Sequence, residues 1–294
     1  YNEQQRIRRC LTSIFAQQTS HTFEVIVVDS SGDDTPEIVR QEFPTVKLFH
    51  REQQTFAAEA RNIGIVNSNR TIVAFIDADC VADPDWLSRL VGGFSDPRTG
   101  CVAGEIQSAQ PKTLAQRYGA HRRLLSQRYA FNDSFRPFAQ TASAAYRRSV
   151  LERLGGFDVR LARAGEDADL AWRMQQDLGL NVVLAPEAIV FHAHRERICG
   201  LLSQRARNGY GSVELYVKHR LQMGERTFRH TVWEWKSLWR KCGRLSRALG
   251  LKICSLGRGC EAESVTMVGL EILVFLAGKF GQLKGSVRHR VWYL

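Results

Sequence analysis

The sequence predicts an α/β fold with a mainly parallel sheet and helices on both faces. Two runs of apolar and β-branched residues, 23–28 and 71–76, have the composition of strands buried in a parallel sheet. Segments with helical spacing of apolar residues alternate with these runs, and this alternation is typical of a parallel sheet. Asp29 and Asp77 directly follow the two strands. Ligands of such sheets bind at the carboxyl ends of the strands, so both aspartates are candidate site residues.

The other predicted elements continue the alternation along the first two thirds of the chain. Ile7, Cys10, Leu11 and Ile14 follow helical spacing, and Pro36 suits the first turn of a later helix. Helices are predicted over 3–15, from 36 onward, and over 55–66, 84–94, 112–129 and 166–176. Strands are predicted over 46–49, 101–106, 182–184 and 189–191, with a small, polar segment at 141–146 and a turn at 155–158.

The α/β alternation stops after His194, which predicts a domain boundary near residue 200. The first domain, 1–200, divides into a nucleotide-binding half (about 1–80) and an acceptor half (about 81–200). Residues 201–294 form a basic, amphipathic helical region. Its apolar run 265–277 contains Glu271 and is shorter than the roughly 20 residues that a membrane span requires. Apolar residues recur in this region at steps of three or four: Phe228, Val232, Trp235, Trp239, Cys242, Leu245 and Leu249.

The composition predicts an anionic partner. The formal net charge is +11 and the pI is about 9.6, which suits nucleic acid, an anionic membrane or phosphorylated substrates. No nucleic-acid recognition motif is visible, so we do not expect nucleic acid as the partner. The seven cysteines are an odd number without a CxxC pair, which indicates free thiols and a cytoplasmic location. The basic helices predict peripheral contact with the anionic inner face of the cell membrane.

The segment Asp77-Ala78-Asp79 predicts a metal site. Two neighbouring carboxylates at a sheet edge repel each other, and a divalent cation bound to a diphosphate removes that repulsion. Mg²⁺ or Mn²⁺ would be the cation. The alternative interpretation is a solvated turn. Asp29 could likewise accept hydrogen bonds from a base or ribose, or cap the helix that follows it.

Two further segments offer catalytic or metal-binding groups. Glu166 and Asp167 begin a predicted helix, where acidic residues either stabilise the helix dipole or act as a general base. His192 and His194 lie on one face at the end of a predicted strand. One of them could bind the metal or the leaving diphosphate, or both could be ordinary surface residues.

Taken in order, the motifs resemble those of the family 2 glycosyltransferases, which have the GT-A fold. The resemblance extends over residues 1 to about 210. It rests on Tyr1-Asn2-Glu3, the segment from Glu24 to Thr35, Ala60-Arg61-Asn62-Ile63-Gly64, Phe75-Ile76-Asp77-Ala78-Asp79-Cys80, the segment from Tyr146 to Asp158, Gly165-Glu166-Asp167-Ala168-Asp169-Leu170-Ala171-Trp172-Arg173, and Pro186 to His192. The missing opening strand predicts that the sequence begins inside a domain.

The resemblance implies a donor-binding set. Tyr1 and Glu3 would line a nucleoside pocket, and Asp29 would contact the base. Arg61 would help to hold the nucleotide, and Asp77 would contact the ribose or the sugar. The implied donor is a nucleotide-diphosphate sugar, with a UDP-sugar favoured.

The resemblance also implies the reaction. Asp79 would bind Mg²⁺ or Mn²⁺, and His192 would bind the metal or the diphosphate. Asp167 would be the general base for a hydroxyl acceptor, either soluble or lipid-linked, and Glu166 would contact the acceptor or support Asp167. The anomeric centre would be inverted. Ser143 stands where relatives often carry an asparagine near the acceptor.

Three other functions fit the sequence less well. The Gln-x-x-Arg-Trp motif of processive relatives is missing, which favours single additions over polymer synthesis. A catalytically silent binding protein of the same fold would not need Asp79, Asp167 and His192 together. A metal-dependent nucleotidyltransferase would need a glycine-rich phosphate loop near the start, and none is visible.

Overall fold

The structure is a computed structural model that describes residues 1–132, 135–225, 235–236, 238–246 and 260–293 of the 294-residue chain. Its contacts divide the chain into two compact units. The first unit comprises residues 1–111, 119–162 and 166–194. The second comprises residues 112–118, 163–165 and 195–294.

The helices and strands follow the predicted alternation. The helices are α1 (Ile7–Phe15), α2 (Thr35–Glu42), α3 (Ala57–Val66), α4 (Trp86–Gly92), α5 (Leu114–His121), α6 (Gln127–Asn132), α7 (Arg148–Leu154), α8 (Glu166–Leu178), α9 (Ile198–Met223) and α10 (Cys260–His289). The strands are β1 (Ile26–Asp29), β2 (Lys47–His50), β3 (Ile72–Ile76), β4 (Cys80–Ala82), β5 (Thr99–Ser108), β6 (Ser143–Arg147) and β7 (Asn181–His192).

The sheets are mixed rather than mainly parallel, which corrects one part of the predicted fold class. β1 and β2 form a parallel pair, and the other five strands pair in the order β3-β6-β5-β7-β4. Only β5 and β7 are parallel in that sheet, because β6 runs antiparallel to both β3 and β5 and β4 runs antiparallel to β7. A pattern of apolar runs predicts strands but not their direction. The small residues of β6 also gave no strand signal.

The five-stranded sheet is covered by core residues on both faces. Ala144 and Ala145 are adjacent in β6 and fully buried, and they belong to different hydrophobic clusters because successive strand residues point to opposite faces. Trp86 and Val190 pack on the Ala145 side. This packing fixes the strand ends from which the candidate site is built.

Two predicted elements differ in extent. The helix predicted over 112–129 is two helices, α5 and α6, separated by a turn in which Arg123 (φ 45°) and Leu125 (φ 74°) adopt left-handed backbone conformations. The short strands predicted over 182–184 and 189–191 are one strand, β7, whose pairing with β5 shifts register between Gly104 and Ile106.

In the second unit, α9 and α10 pack closely through glycines. A Cβ at Gly281 of α10 would overlap the carbonyl of Ala206, and one at Gly209 of α9 would overlap the carbonyl of Gly278. Residues 238–246 are helical, as predicted. The predicted helix positions Phe228, Val232 and Leu249 lie outside the described residues.

Helix α10 is longer than the apolar run that the sequence suggested. Its segment Val265–His289 has 25 residues and contains an 18-residue window with a mean hydropathy of 1.4, so length and composition alone would let it cross a membrane. Glu271 within this segment is buried and forms ion pairs with Lys241 (3.8 Å) and Arg244 (2.9 Å). The charge of Glu271 is therefore balanced within the second unit.

Candidate active site

Asp29 organises the loop after β1. Its carboxylate accepts hydrogen bonds from the backbone N–H (3.1 Å) and hydroxyl (2.5 Å) of Ser31, and its Oδ2 lies 2.8 Å from Nδ1 of His50. Asp29 and His50 are register partners at the ends of the parallel strands β1 and β2. The side chain of Asp29 is buried, so the carboxylate fixes the shape of this loop from within.

The first residues of the chain lie along the same loop. The backbone N–H of Asn2 donates to the hydroxyl of Ser31 (2.7 Å), and that of Glu3 donates to Oγ1 of Thr35 (3.0 Å). Tyr1 is 59% exposed. The structure thus brings the predicted nucleoside-binding residues Asp29 and Glu3 to one loop, with Tyr1 exposed next to it in the chain.

Arg61 of α3 joins two acidic segments that are distant in sequence. Its Nη1 donates to Oε1 of Glu166 at 2.7 Å, and its Nη2 lies 3.5 Å from Oδ1 of Asp77. The guanidinium also lies over the ring of Phe157, 5.5 Å from the ring centroid. Arg61 therefore connects the end of β3 to the start of α8 and is engaged by carboxylates of the chain itself.

Asn62, the next residue of α3, holds the turn after α7. Its amide exchanges two hydrogen bonds of 2.8 Å with the backbone N–H and carbonyl of Phe157. On the other side of the turn, Arg173 of α8 donates to the carbonyls of Leu154 and Gly156 at 2.8 Å. We call Asn62, Arg173 and the turn 154–157 the brace. It ties α3 to α8, the helices that carry Arg61 and Asp167.

Asp167 has an altered proton affinity. Burial and, next, the neighbouring charge of Glu166 raise its pKa to about 7, against the opposing effect of the positive charge of Arg61. A carboxylate with a pKa near neutrality both exists as a base at physiological pH and retains enough basicity to take a proton. This property suits a general base.

Asp79 and His192 face each other across the β4–β7 pair. Oδ2 of Asp79 lies 3.4 Å from Nε2 of His192, and both side chains are largely buried. The other ring nitrogen of His192, Nδ1, is buried without a hydrogen-bond partner in the described residues. Mg²⁺ and Mn²⁺ are held in many sites by one or two protein ligands, with substrate phosphates and water completing the shell. Asp79 and His192 could therefore serve as the two protein ligands of such a cation.

The described part of the chain shows no larger metal cluster. Within the residues that the structure describes, no group of three or more His, Cys, Asp and Glu side chains is arranged to hold a metal ion. A cation bound by Asp79 and His192 would therefore take its remaining ligands from a diphosphate and from water.

His194 lies directly behind His192. The two rings are 5.0 Å apart in an edge-to-face arrangement, and Nε2 of His194 lies 2.7 Å from the hydroxyl of Ser108. Burial, followed by the proximity of His192, lowers the pKa of His194 to about 4, so its imidazole is neutral at physiological pH. A Cβ at Gly119 would lie 2.7 Å from Cγ of His194, so the backbone of α5 packs against this ring.

Ser143 serves the core rather than an open surface. It is fully buried, and its hydroxyl accepts a hydrogen bond from the indole N–H of Trp86 at 3.0 Å. Its backbone carbonyl accepts a hydrogen bond from Gln127 at 3.0 Å. The side chain of Ser143 is therefore not accessible to an acceptor, and the structure does not support the expectation that it lies near one.

The fold and these side chains define a carboxylate-rich candidate site at the strand ends of an α/β domain. Residues 1–155 match the family Glycosyl transferase family 2. Glycosyltransferase AglE of Haloferax volcanii is 30% identical over 79% of this chain and 77% of its own length. Pre-mycofactocin glycosyltransferase of Mycobacterium tuberculosis is 31% identical over 74% of this chain and 46% of its own length.

Solved structures agree on the fold. The mannosyltransferase PcManGT from Pyrobaculum calidifontis, in complex with GDP-Man and Mn²⁺, superimposes with a TM-score of 0.64 at 23% identity, covering 96% of this chain and 84% of that protein. GalNAc-T7 with UDP, GalNAc and Mn²⁺ gives a TM-score of 0.51 at 16% identity, covering 76% and 50%. These likenesses confirm the predicted GT-A fold class.

The chain belongs to glycosyl transferase family 2. It is a glycosyltransferase, and the curated relatives, which include an O-antigen chain rhamnosyltransferase of Salmonella typhimurium, support a role in glycan biosynthesis. Neither a silent binding protein nor a nucleotidyltransferase is favoured.

Sequence reasoning missed several residues that shape the site. His50 could have been found, because it ends the strand after the one that Asp29 ends. Asn62 adjoins Arg61 but carries no charge, and nothing in its own pattern indicates that it binds the turn at Phe157. Ser108 gave no signal, since its partner His194 is distant in sequence.

Proposed function

We propose that the enzyme transfers a single sugar from a nucleotide-diphosphate sugar to an acceptor hydroxyl, with inversion and with help from Mg²⁺ or Mn²⁺. A UDP-sugar is the favoured donor. Tyr1, Glu3 and Asp29 would serve the nucleoside, and Asp77 the ribose or sugar. One observation carries the proposal: Arg61 holds the carboxylates of Asp77 and Glu166 together.

That contact supports the proposal because it brings a residue proposed to bind the donor close to the residue that precedes the proposed base. Asp77 belongs to the segment proposed to hold the donor, and Glu166 precedes the proposed base, Asp167. We assign Arg61 the tasks of limiting the repulsion among these carboxylates and of orienting Glu166 toward the acceptor. This assignment modifies the expected role of Arg61, which was direct binding of the nucleotide.

Asp167 would act as the general base. Its carboxylate takes the proton of the acceptor hydroxyl, the hydroxyl oxygen forms a bond to the anomeric carbon, and the bond from that carbon to the diphosphate oxygen breaks. Attack from the face opposite the leaving group inverts the anomeric centre. The nucleoside diphosphate leaves with the bonding electrons.

Asp79 and His192 would hold the divalent cation and, through it, the diphosphate. A bound Mg²⁺ or Mn²⁺ supplies neutralising charge to the leaving diphosphate. Both side chains are largely buried. The relatives solved with Mn²⁺ support this part of the proposal for the family fold, although they share less than a quarter of their sequence with this chain.

Exchange of one carboxylate tests the proposed base. Asp167→Asn removes the proton acceptor while keeping the shape, and we expect the release of nucleoside diphosphate to fall by about 10²–10⁴-fold. Asp177→Asn is the matched control, because Asp177 is exposed on the same helix, α8. Turnover of UDP-, GDP- and dTDP-sugars with Mn²⁺ and Mg²⁺ would be measured first to find the donor. Near-normal turnover of Asp167→Asn would refute the assignment.

We also propose that α10 contacts an anionic membrane surface on the cytoplasmic side. Five apolar side chains on this helix are 41–71% exposed and follow spacings of three and four residues: Leu273, Leu276, Phe280, Leu283 and Val287. We call them the α10 stripe. Lys284 lies 4.6 Å from the ring centroid of Phe280, and Arg288 is exposed nearby in the helix. Basic groups beside an exposed apolar face suit anionic headgroups.

Liposome sedimentation tests the membrane contact. The full chain should pellet with vesicles containing phosphatidylglycerol and much less with phosphatidylcholine alone. Leu276→Gln combined with Phe280→Gln should reduce pelleting. Leu221→Gln is the control, because Leu221 is 90% exposed on α9 and does not belong to the stripe. Equal pelleting of the stripe variant and the control would remove the membrane proposal without affecting the proposed catalysis.

A further inference from the structure

The end of α5 and the turn that follows it carry three adjacent exposed basic residues, His121, Arg122 and Arg123. We call them the basic turn. The sequence contains no Asp or Glu between Glu105 and Asp133. A charge run of this kind is often only a solvated surface. The location of the basic turn in the fold indicates a binding role instead.

The backbone of the basic turn lies close to His194, whose ring contacts His192 of the proposed metal site. The backbone N–H of Leu124 donates to the carbonyl of Gly119 at 3.0 Å, which brings the backbone of Arg123 back beside Gly119. Gly119 in turn packs against the ring of His194, and that ring contacts His192. One glycine and one imidazole therefore separate the backbone of the basic turn from His192.

The turn is held in a strained backbone conformation. Arg123 and Leu125 both have positive φ angles, which cost non-glycine residues energy and persist only where the surroundings enforce them. Here a partly buried polar network holds Leu125 and Ser126, the residues that follow Arg123 and Leu124. The side-chain amide of Gln140 donates to the carbonyls of Leu125 (2.9 Å) and Ser126 (3.3 Å), and the hydroxyl of Ser126 donates to Glu105 (2.8 Å). The arginines are thus presented from a fixed backbone.

We propose that the basic turn binds a phosphate group of the acceptor, so that the substrate class is a phosphorylated acceptor. This inference rests on the proposed function. The charge of the donor diphosphate is already matched by the cation assigned to Asp79 and His192, and the turn belongs to the acceptor half of the sequence. Arginine suits phosphate because its planar guanidinium can donate two parallel hydrogen bonds. The same chemistry would accept a lipid phosphate or a soluble sugar phosphate.

Calorimetric titration of the full chain in EDTA tests the inference without metal or donor. The probes are farnesyl phosphate in detergent, farnesol in the same detergent, and glucose 6-phosphate. We expect the phosphate-bearing probes to bind, and farnesol to bind at least about tenfold more weakly than farnesyl phosphate. Tighter binding of farnesyl phosphate than of glucose 6-phosphate would identify a lipid acceptor, and the reverse order a soluble one. Either order supports the inference.

Arg123→Gln should weaken phosphate binding about tenfold, in line with the loss of a charged hydrogen bond. Arg98→Gln is the control, because Arg98 is an exposed arginine at the far end of β5 from His194. Arg98 precedes the start of β5, and Ser108, which contacts His194, ends that strand. Arg123→Lys should keep most of the affinity. If Arg123→Gln does not fold, Arg123→Asn replaces it, since asparagine tolerates a positive φ.

The outcomes separate this inference from the proposed function. Wild-type affinity of Arg123→Gln for the phosphate probes would overturn the inference, and so would a failure of the wild type to bind them. An equal loss of affinity for UDP or GDP with Mn²⁺ would also overturn it, because the turn would then serve the donor. If the wild type bound no nucleotide with Mn²⁺ but bound phosphate through Arg123, the proposed function would fail instead.

Discussion

Two neighbouring glycines in the turn after α7 allow a matched test of the brace. Gly155 (φ 69°) and Gly156 (φ 73°) both have left-handed backbones. A Cβ at Gly155 would meet nothing within 4 Å, whereas one at Gly156 would overlap the amide of Asn62. Substitution by alanine therefore imposes a similar backbone cost at both positions. Only Gly156→Ala also displaces Asn62.

The expected magnitudes follow from these contacts. A left-handed backbone costs a non-glycine residue roughly 1–2 kcal/mol. Displacing Asn62 breaks its two hydrogen bonds to Phe157, each with a net value of about 0.5–1.5 kcal/mol. Gly155→Ala should then lower the free energy of unfolding by about 1–2 kcal/mol and Gly156→Ala by about 2–5 kcal/mol. Since Asn62 adjoins Arg61, only Gly156→Ala should also reduce turnover.

Thermal unfolding and donor hydrolysis measure the two effects. The melting temperature of Gly156→Ala should lie at least about 2 °C below that of Gly155→Ala, because about 1 kcal/mol corresponds to 2–4 °C in a domain of this size. In an Asn62→Ala background the overlap is gone, so the additional cost of Gly156→Ala should disappear. Equal melting temperatures and equal turnover of the two single variants would refute the role of the brace.

Three further predictions concern the site. Because the pKa of Asp167 is raised to about 7, chiefly by burial, the base loses its ionised form as the pH falls. A pH–rate profile should therefore show kcat/KM dropping about tenfold per pH unit below about pH 6. A flat profile from about pH 5 to 8 would count against Asp167 as the base. Ser143→Ala should leave the indole N–H of buried Trp86 unpaired and lower the free energy of unfolding by about 1–3 kcal/mol. The KM for the acceptor should not change. A selective rise in that KM would show that Ser143 contacts the acceptor after all. Asp79→Asn and His192→Gln should each weaken Mn²⁺-dependent nucleotide binding in calorimetry by at least about tenfold, and an unchanged affinity would remove the metal assignment.

The sequence predicts the strand ends at which several candidate site residues lie. Asp29 and Asp77 follow apolar, β-branched runs, and such runs predict buried strands whose ends are exposed to ligands. Asp79 and His192 belong to separate sequence motifs, and the structure brings them to 3.4 Å. Their proximity depends on the pairing of β4 with β7, which no local pattern encodes.

Other features depend on the three-dimensional context of a residue and could not be predicted locally. The direction of β6 is set by its neighbours β3 and β5, and its alanines fit there because both faces are fully packed. The break between α5 and α6 depends on Gln140, whose side chain holds the carbonyl of Leu125. The contacts of Arg61 with Asp77 and Glu166 required the complete fold.

The stereochemistry of donor hydrolysis tests the central claim most directly. With Mn²⁺ and an α-linked nucleotide sugar, water can replace the acceptor, and proton NMR within the first minutes would identify the anomer that forms before mutarotation. Because Asp167 acts as a base for a single displacement, the account predicts the β-anomer first, and a large loss of its formation in Asp167→Asn but not in Asp177→Asn. First release of the α-anomer, or equal rates in the two variants, would contradict it.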